Sequence, residues 1–158
     1  MSKKDTEKIL KIMNKDWKGI SIPKLKNIKI FEVEENKGIL IIDSEIVAVS
    51  TPVDHILPFL GKQEILKKFP SVIVDSGSIK FICNGAKVLR PGITFFDSFE
   101  KDEIVTIKDE KFRKYIAVGL AIESSKTSES MEKGYVINNL HFVGDKFWNM
   151  FKEISFRI

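Results

Sequence analysis

Apolar residues near the N-terminus recur at three- and four-residue steps. Between Asp5 and Trp17 they are Ile9, Leu10, Ile12, Met13 and Trp17 itself. This spacing predicts a helix with one buried stripe, because residues three and four apart share a helical face. The remaining face of this helix is rich in lysine.

The pattern changes to β-type between positions 28 and 50. The segments "IKIFEVEEN", "GILIID" and "IVAVS" are apolar β-formers, and turn formers at positions 36–38 and 43–45 separate them. This order predicts an antiparallel meander. Thr51-Pro52 is typical of a helix start, so we expect "VDHILPFLG" to open a helix and "KQEILKK" to add one or two turns before Pro70.

Strands dominate the chain beyond Pro70. The predicted strands are "SVIVD", "ITFFD", "EIVTIKD", "YIAVGLAIES" and "GYVINN", and the predicted helices are "ESMEK" and "KFWNMFKEI". Short strands at such intervals, interrupted by one early helix, indicate a small mixed barrel. The expected fold class is α+β, with an N-terminal helix-plus-meander domain at residues 1–70 and a mixed β pseudo-barrel at 71–158.

Composition adds little to this architecture but limits the function. The chain has 158 residues and 43% hydrophobic content, which is enough to bury real cores. Its 26 basic and 22 acidic residues give a formal net charge of +4, which indicates a surface of mixed sign. This charge permits binding to nucleic acid without requiring it.

Candidate metal ligands and membrane segments are few. Cys83 is the single cysteine, so neither an intramolecular disulfide nor a thiolate-rich zinc site can form. His55 and His141 lie far apart and in no metal-ligand spacing, so we expect neither a metal nor a cofactor. No apolar run approaches the roughly 20 residues of a membrane span, and "MSKKDTEKIL" lacks the apolar core of a signal peptide. We expect a cytoplasmic protein that is not associated with a membrane.

Glycines are concentrated in the segment "VDSGSIKFICNGAKVLRPGI", at positions 74–93. Asp75 precedes a short helical pattern and is placed to accept hydrogen bonds from its first amides, which predicts a helix cap. Ile79, Ile82 and Cys83 are expected to share the buried face of that helix, so Cys83 is interpreted as a small buried hydrophobic residue rather than a nucleophile.

The same segment contains two backbone junctions. Asn84-Gly85 is expected to end the helix, because both residues tolerate the left-handed conformation of a C-terminal cap. Pro91-Gly92 predicts a turn or bulge beside the second strand. A polynucleotide backbone could approach closely where glycine lacks a side chain, and cationic residues nearby could bind its phosphates. These glycines are Gly77, Gly85 and Gly92, and the cations are Lys80, Lys87 and Arg90.

These segments together resemble a known RNA-binding fold. The glycine-rich segment, followed by "FEKDEIVTIKDE", "YIAVGLAI" and "NLHFVGDKFW", is similar to the PUA domain, a pseudo-barrel named after pseudouridine synthases and archaeosine transglycosylases. The first 70 residues and "NLHFVGDKFW" resemble the malignant T-cell-amplified sequence family and its archaeal relatives, which pair an N-terminal domain with PUA.

The resemblance implies RNA binding without catalysis. By position, the implied RNA-binding residues are Gly77, Ser78, Lys80, Asn84, Gly85, Ala86, Lys87, Arg90, Pro91 and Gly92. Ser78 stands where the family commonly has alanine, and it is small enough to preserve close approach. The implied role is in translation initiation or ribosome recycling. The implied partners are structured RNA (tRNA or rRNA), the small ribosomal subunit, and a protein bound to the N-terminal domain.

Two other functions stay open from the sequence: an accessory RNA-recognition module of an RNA-modifying system, and a protein-interaction adaptor. We expect no catalysis, because G-x-G-x-x-G is missing, Gly61-Lys62 lacks the earlier glycine of a P-loop, and the N-terminal carboxylates are scattered. The aromatic residues of "ITFFDSF", which are Phe95, Phe96 and Phe99, are predicted to belong to a core strand and turn. The lysines of "PKLKNIK" are expected to form a solvated basic edge.

Overall fold

The computed structural model describes residues 3–20, 28–51 and 55–155, apart from the side chains of Lys152 and Ser155. The helices are α1 (Lys3–Asp16), α2 (Gln63–Leu66), α3 (Ile79–Ile82), α4 (Ser125–Glu129) and α5 (Lys146–Ser155). The strands are β1 (Ile28–Glu34), β2 (Lys37–Ile42), β3 (Glu45–Ser50), β4 (Ile56–Pro58), β5 (Ser71–Val74), β6 (Val88–Leu89), β7 (Ile93–Phe96), β8 (Ile104–Asp109), β9 (Tyr115–Ala121) and β10 (Tyr135–Phe142). Short 3₁₀ turns occupy Ser76–Ser78 and Arg90–Gly92.

These strands form two sheets. The first is an antiparallel meander in the order β1-β2-β3-β4. The second has the order β6-β10-β9-β8-β5-β7, and β5 runs parallel to β8 but antiparallel to β7. The α+β class, with a helix and meander followed by a mixed β pseudo-barrel, is therefore confirmed. The exact domain boundary near Pro70 stays a prediction.

Helix α1 covers the meander with the stripe that its periodicity predicts. Ile9 and Met13 are buried, and Trp17 just beyond the helix is buried as well, whereas Leu10 is 38% exposed. The Trp17 indole Nε1–H donates a hydrogen bond of 2.8 Å to the carbonyl of Ile56. Burial of such apolar side chains contributes roughly 1.5–3 kcal/mol each, and the indole bond fixes the helix end on β4.

The predicted helix in "VDHILPFLG" is wrong, because Ile56–Pro58 form strand β4. Pro58 disfavours helical backbone at Leu57, the residue before it. Leu57 pairs with Val49 of β3, and all three residues of β4 are buried. Pro58 can end this strand because β4 lies at the edge of the meander, where a missing N–H removes little from the ladder.

The C-terminal helix α5 returns to the first sheet, although it follows the barrel in sequence. Phe147 and Ile154 are buried in the same hydrophobic cluster as the meander, and Lys146 pairs with Glu34 of β1. His141, at the end of β10, is fully buried and accepts a hydrogen bond of 3.1 Å from the Leu60 amide through Nε2. The barrel and the meander are thus joined through a packed junction.

The predicted helix at "ESMEK" is displaced. The helix in this region is α4, and it ends at Glu129, while residues 130–134 form bends and a turn. The Ser124 hydroxyl oxygen accepts a hydrogen bond of 3.1 Å from the Thr127 amide, so this serine caps the helix several residues earlier than the apolar pattern suggests.

Two predictions fall on residues that the structure does not describe. Most of "PKLKNIK" lies within residues 21–27, and the proposed helix start at Pro52 lies within 52–54; both lie outside the described residues. Within the described ranges, none of the helices has the length and apolar character needed to cross a membrane.

Candidate nucleic-acid interface

Asp75 positions the start of α3. Its side-chain Oδ1 accepts hydrogen bonds from the Ser78 amide at 2.9 Å and from the Ser78 hydroxyl at 2.7 Å. The chain therefore enters α3 through the 3₁₀ turn Ser76–Ser78 with its first amides satisfied. The cap predicted at Asp75 is confirmed.

Gly85 ends the helix in a left-handed conformation, with φ of 93°. Its amide donates to the Ile82 carbonyl at 3.0 Å, and the Ala86 amide donates to the Phe81 carbonyl at 3.0 Å. This pair of bonds is a Schellman motif, which requires positive φ at the glycine position. A Cβ atom at Gly85 would meet the Phe142 ring at an ordinary 3.5 Å, so backbone conformation rather than space selects glycine here.

A buried amide side chain fastens this loop to the barrel. Asn139 of β10 donates from Nδ2 to the carbonyls of Ile82 and Ala86, at 3.0 Å each. The Ile82 carbonyl ends α3 and also accepts from the Gly85 amide, and the Ala86 carbonyl lies in the loop just after the helix. Asn139 therefore holds the Gly85 loop in position on the barrel, although its own side chain is buried.

The second glycine junction packs against the first. The Asp75 amide donates to the Gly92 carbonyl at 2.8 Å. A Cβ atom at Gly92 would run into the Ser78 hydroxyl oxygen, so the Arg90–Gly92 turn lies directly against the entry to α3. The fold thus brings both ends of the glycine-rich segment to one surface.

We call the ten residues implied from the sequence the glycine surface. Its members at positions 77, 80, 84–87 and 91 are exposed, and those at 78, 90 and 92 are half-buried. None of the ten is buried in the core, so all keep an outward-facing part. Their contact with RNA stays a prediction.

The side chain of Arg90 is held by contacts within the barrel. Its Nη1 donates to the Ile93 carbonyl at 3.1 Å, and the guanidinium carbon lies 5.0 Å from the centroid of the Phe96 ring. Its Nε is buried and finds no hydrogen-bond partner among the described residues. Lys80 and Lys87 are therefore the freely presented cations of the glycine surface.

Three apolar residues that the sequence patterns did not indicate border this surface. Phe81, Leu89 and Tyr135 are 57%, 50% and 54% exposed. The ammonium groups of Lys80 and Lys87 lie 5.0 Å and 5.4 Å from the ring centroids of Phe81 and Tyr135. One signal was available, because Phe81 lies off the helical face that Ile79, Ile82 and Cys83 share.

These side chains form an open cavity of about 440 Å³ between α3 and the β6–β10 edge. It is lined by Ser78, Phe81, Ile82, Ala86, Lys87, Leu89 and Tyr135. The lining combines flat apolar surface with one ammonium group. Such a site can stack a planar ring and hold an anionic group next to it.

The chain has relatives in two domains of life. A PUA domain model matches residues 70–143, which include all strands of the barrel. The uncharacterized protein MJ1432 of Methanocaldococcus jannaschii is 37% identical over 94% of this chain and 93% of its own length. Translation machinery-associated protein 20 of Saccharomyces cerevisiae is 30% identical over 84% of this chain and 77% of its own length. The chain belongs to this PUA-domain family.

The family also includes malignant T-cell-amplified sequence 1 of Rattus norvegicus, which is 30% identical over 85% of this chain and 76% of its own length. Among solved structures, hypothetical protein PH0734.1 of Pyrococcus horikoshii superposes with a TM-score of 0.75 at 24% identity, over 95% of this chain and 96% of that one. That likeness extends through both sheets, so the helix and meander are part of the shared fold.

The remaining polar candidates of this PUA-domain protein are Cys83, His55 and His141. Cys83 is half-buried against the barrel core, and burial raises the pKa of its thiol. His55 Nδ1 lies 3.2 Å from Asp16 Oδ2, and His141 Nδ1 lies 2.8 Å from Asp145 Oδ2. Within the described part of the chain, histidine, cysteine and carboxylate side chains form no cluster that could hold a metal ion.

Proposed function

We propose that this protein is a non-catalytic RNA-binding protein of the translation machinery. It binds structured RNA, either tRNA or rRNA, across the glycine surface and the adjoining cavity. One observation carries this proposal: two exposed aromatic rings each have a lysine ammonium group above them. Lys80 lies above Phe81, and Lys87 lies above Tyr135. The surface lies in the barrel that the PUA model matches.

The chemistry of this surface suits RNA with unpaired nucleotides. Unpaired bases stack on aromatic side chains, and phosphates pair with cations nearby. Here the rings of Phe81 and Tyr135 flank one cavity, and the ammonium group of Lys87 lies at its margin. Exposed main chain at Gly77 and Gly85 leaves room for a polynucleotide backbone to approach.

The proposed cellular role follows the names of the relatives. Translation machinery-associated protein 20 covers most of this chain, so we assign the protein to translation initiation or ribosome recycling in the cytoplasm, with the small ribosomal subunit as its platform. A protein partner on the N-terminal half is part of this proposal. The absence of a catalytic motif in the sequence supports a binding role rather than an enzymatic one.

The test is a binding titration against fluorescently labelled tRNA and a labelled rRNA stem-loop at several salt concentrations. Lys80→Ala combined with Lys87→Ala removes two exposed cations, which we expect to weaken binding. The slope of log affinity against log salt should fall by up to about two units, since each lost phosphate contact contributes roughly 0.7–0.9. The matched control is Lys11→Ala with Lys15→Ala, which removes two exposed lysines from α1.

Each variant needs a melting temperature, so that a lost contact is separated from a lost fold. A folded Lys80/Lys87 variant with unchanged affinity and salt slope would show that the glycine surface is not the RNA site. If the wild-type protein binds neither RNA, the proposal fails, and the protein-interaction adaptor becomes the better account.

A further inference from the structure

The turn between β8 and β9 displays the most exposed large apolar side chain among the described residues. This residue is Phe112, which is 67% exposed. The ammonium groups of Lys111 and Lys114 lie 5.3 Å and 5.9 Å from the centroid of its ring. Arg113 lies between them in sequence and is also exposed. We call Lys111, Phe112, Arg113 and Lys114 the aromatic tip.

A buried carboxylate holds the aromatic tip in one conformation. Asp109 is 4% exposed, and its Oδ1 and Oδ2 accept hydrogen bonds from the amides of Phe112 at 2.6 Å and Lys114 at 3.2 Å. Its carbonyl accepts from the Arg113 amide at 3.1 Å. A ring presented on such a fixed turn loses little conformational freedom on binding, which favours affinity.

The aromatic tip continues the glycine surface. The Glu110 amide donates to the Val74 carbonyl at 3.0 Å, and Glu110 Oε1 accepts from the Ser76 amide at 3.2 Å. Ser76 immediately precedes Gly77, the first member of the glycine surface. The carboxylates of Asp109 and Glu110 are directed at backbone amides, while Lys111, Arg113 and Lys114 place three cationic side chains at the surface of the turn.

We propose that the aromatic tip is a second RNA contact, at which the Phe112 ring stacks on an unpaired base and the flanking cations bind the adjacent phosphates. The proposal rests on the proposed function, because it assigns to the same RNA a further contact beside the glycine surface. A base stacked on Phe112 would bring its own phosphates within reach of Lys111 and Lys114, since both ammonium groups already lie within 6 Å of the ring. The aromatic tip thereby extends the proposed RNA-binding surface beyond the start of α3.

The test is a double-mutant cycle between the protein and the RNA. The probe is a labelled rRNA stem-loop with a short single-stranded 3′ extension, compared with the same RNA in which every unpaired nucleotide is abasic. Phe112→Ala keeps the amide that Asp109 binds, so the turn keeps its hydrogen bonds. Phe112→Trp restores a stacking ring. The matched control is Phe95→Ala. The prediction that Phe95 belongs to the core is wrong, because its ring on β7 is 49% exposed.

We expect Phe112→Ala to weaken binding of the intact RNA by roughly 5- to 150-fold, the range of one base–aromatic stack. The same change should alter binding of the abasic RNA by less than about twofold, because no base is left to stack. Phe112→Trp should bind the intact RNA at least as tightly as wild type, and Phe95→Ala should leave binding of both RNAs unchanged.

The two proposals fail in different ways. If wild type binds the intact RNA and Phe112→Ala does not weaken it, the tip is overturned as an RNA contact, while the glycine surface stands. Equal weakening of the intact and abasic RNAs would also overturn stacking at Phe112, as would an equal loss in Phe95→Ala. If wild type binds neither this rRNA stem-loop nor labelled tRNA, both proposals are wrong; if it binds only tRNA, the same comparison is made with intact and abasic tRNA 3′ ends.

Discussion

Aromatic residues are packed on one another in one half of this molecule and exposed beside cations in the other. At the junction of the meander, β10 and α5 they pack on one another, as in the pairs Trp17–Phe69, Phe59–His141 and His141–Phe147. In the barrel, the described rings that are more than half exposed and carry a cation above them are Phe81, Phe112 and Tyr135. Phe96 and Tyr115 also lie beneath a cation, but both are half-buried against the core. Ring-on-ring packing excludes water and stabilises the fold. A ring left in solvent beneath a cation contributes little to stability and is available to a ligand.

This contrast separates stability from binding in a way that substitutions can test. Removal of a junction ring should lower the free energy of unfolding and leave the RNA affinity of the folded protein intact. Removal of an exposed ring should lower the RNA affinity and leave the free energy of unfolding nearly unchanged. If either kind of substitution changed both quantities, this separation of stability from binding would be wrong.

The largest expected effect is that of Phe59→Ala. Phe59 is buried, and its ring lies 5.7 Å from His141 and 6.3 Å from Trp148, measured between centroids. Truncation of such a ring leaves a cavity and costs about 3–5 kcal/mol of the free energy of unfolding. Urea denaturation measures this loss. RNA affinity, measured well below the unfolding transition, should stay at the wild-type value; a parallel loss of affinity would place the junction in the binding site.

A smaller effect on stability, together with an effect on binding, is expected for Asn139→Leu. This change removes the donor that the Ile82 and Ala86 carbonyls share, and the loss of two hydrogen bonds at about 0.5–1.5 kcal/mol each costs about 1–3 kcal/mol in all. The Gly85 loop should then loosen, so RNA affinity should fall although Asn139 is buried. The control is Asn138→Leu, since Asn138 is half-exposed and precedes it on β10. Unchanged RNA affinity in a less stable Asn139 variant would show that the position of the Gly85 loop does not matter for binding.

The smallest effect on stability is expected for Phe81→Ala. Because more than half of this side chain is exposed, its removal should change the free energy of unfolding by about 0.5 kcal/mol or less. RNA affinity should fall by at least about 1 kcal/mol, the lower end for loss of one stacked base. Thermal melting and a binding titration measure the two quantities. A large drop in melting temperature with normal affinity would mean that Phe81 belongs to the core.

Periodicity and turn chemistry were sufficient for most of the fold. The buried stripe of α1, the three strands of the meander, the cap at Asp75 and the left-handed end at Gly85 all follow from local rules, and the structure confirms them. The α5 segment was also predicted as a helix. Its return to the meander was not, because packing between distant segments has no local signal.

The errors came from positions where local signals compete. At "VDHILPFLG" the helix start signal of Thr51-Pro52 was outweighed by Pro58 and by pairing with β3. In the glycine surface, the sequence indicated which backbone positions are free of side chains, but it could not show that Arg90 turns back onto Phe96. Phe112 was missed because an aromatic residue in a strand-rich segment suggests core until the turn geometry places it in solvent.

We infer that RNA binds to the exposed rings and cations of the barrel rather than to the meander. Amide hydrogen–deuterium exchange with and without a saturating labelled tRNA or rRNA stem-loop tests it directly, because it reports on every segment in one experiment. On RNA binding, we expect exchange to slow at residues 76–92 and 110–114 and to stay unchanged in β1–β4. Protection confined to the meander or α1, with residues 76–92 unaffected, would contradict it.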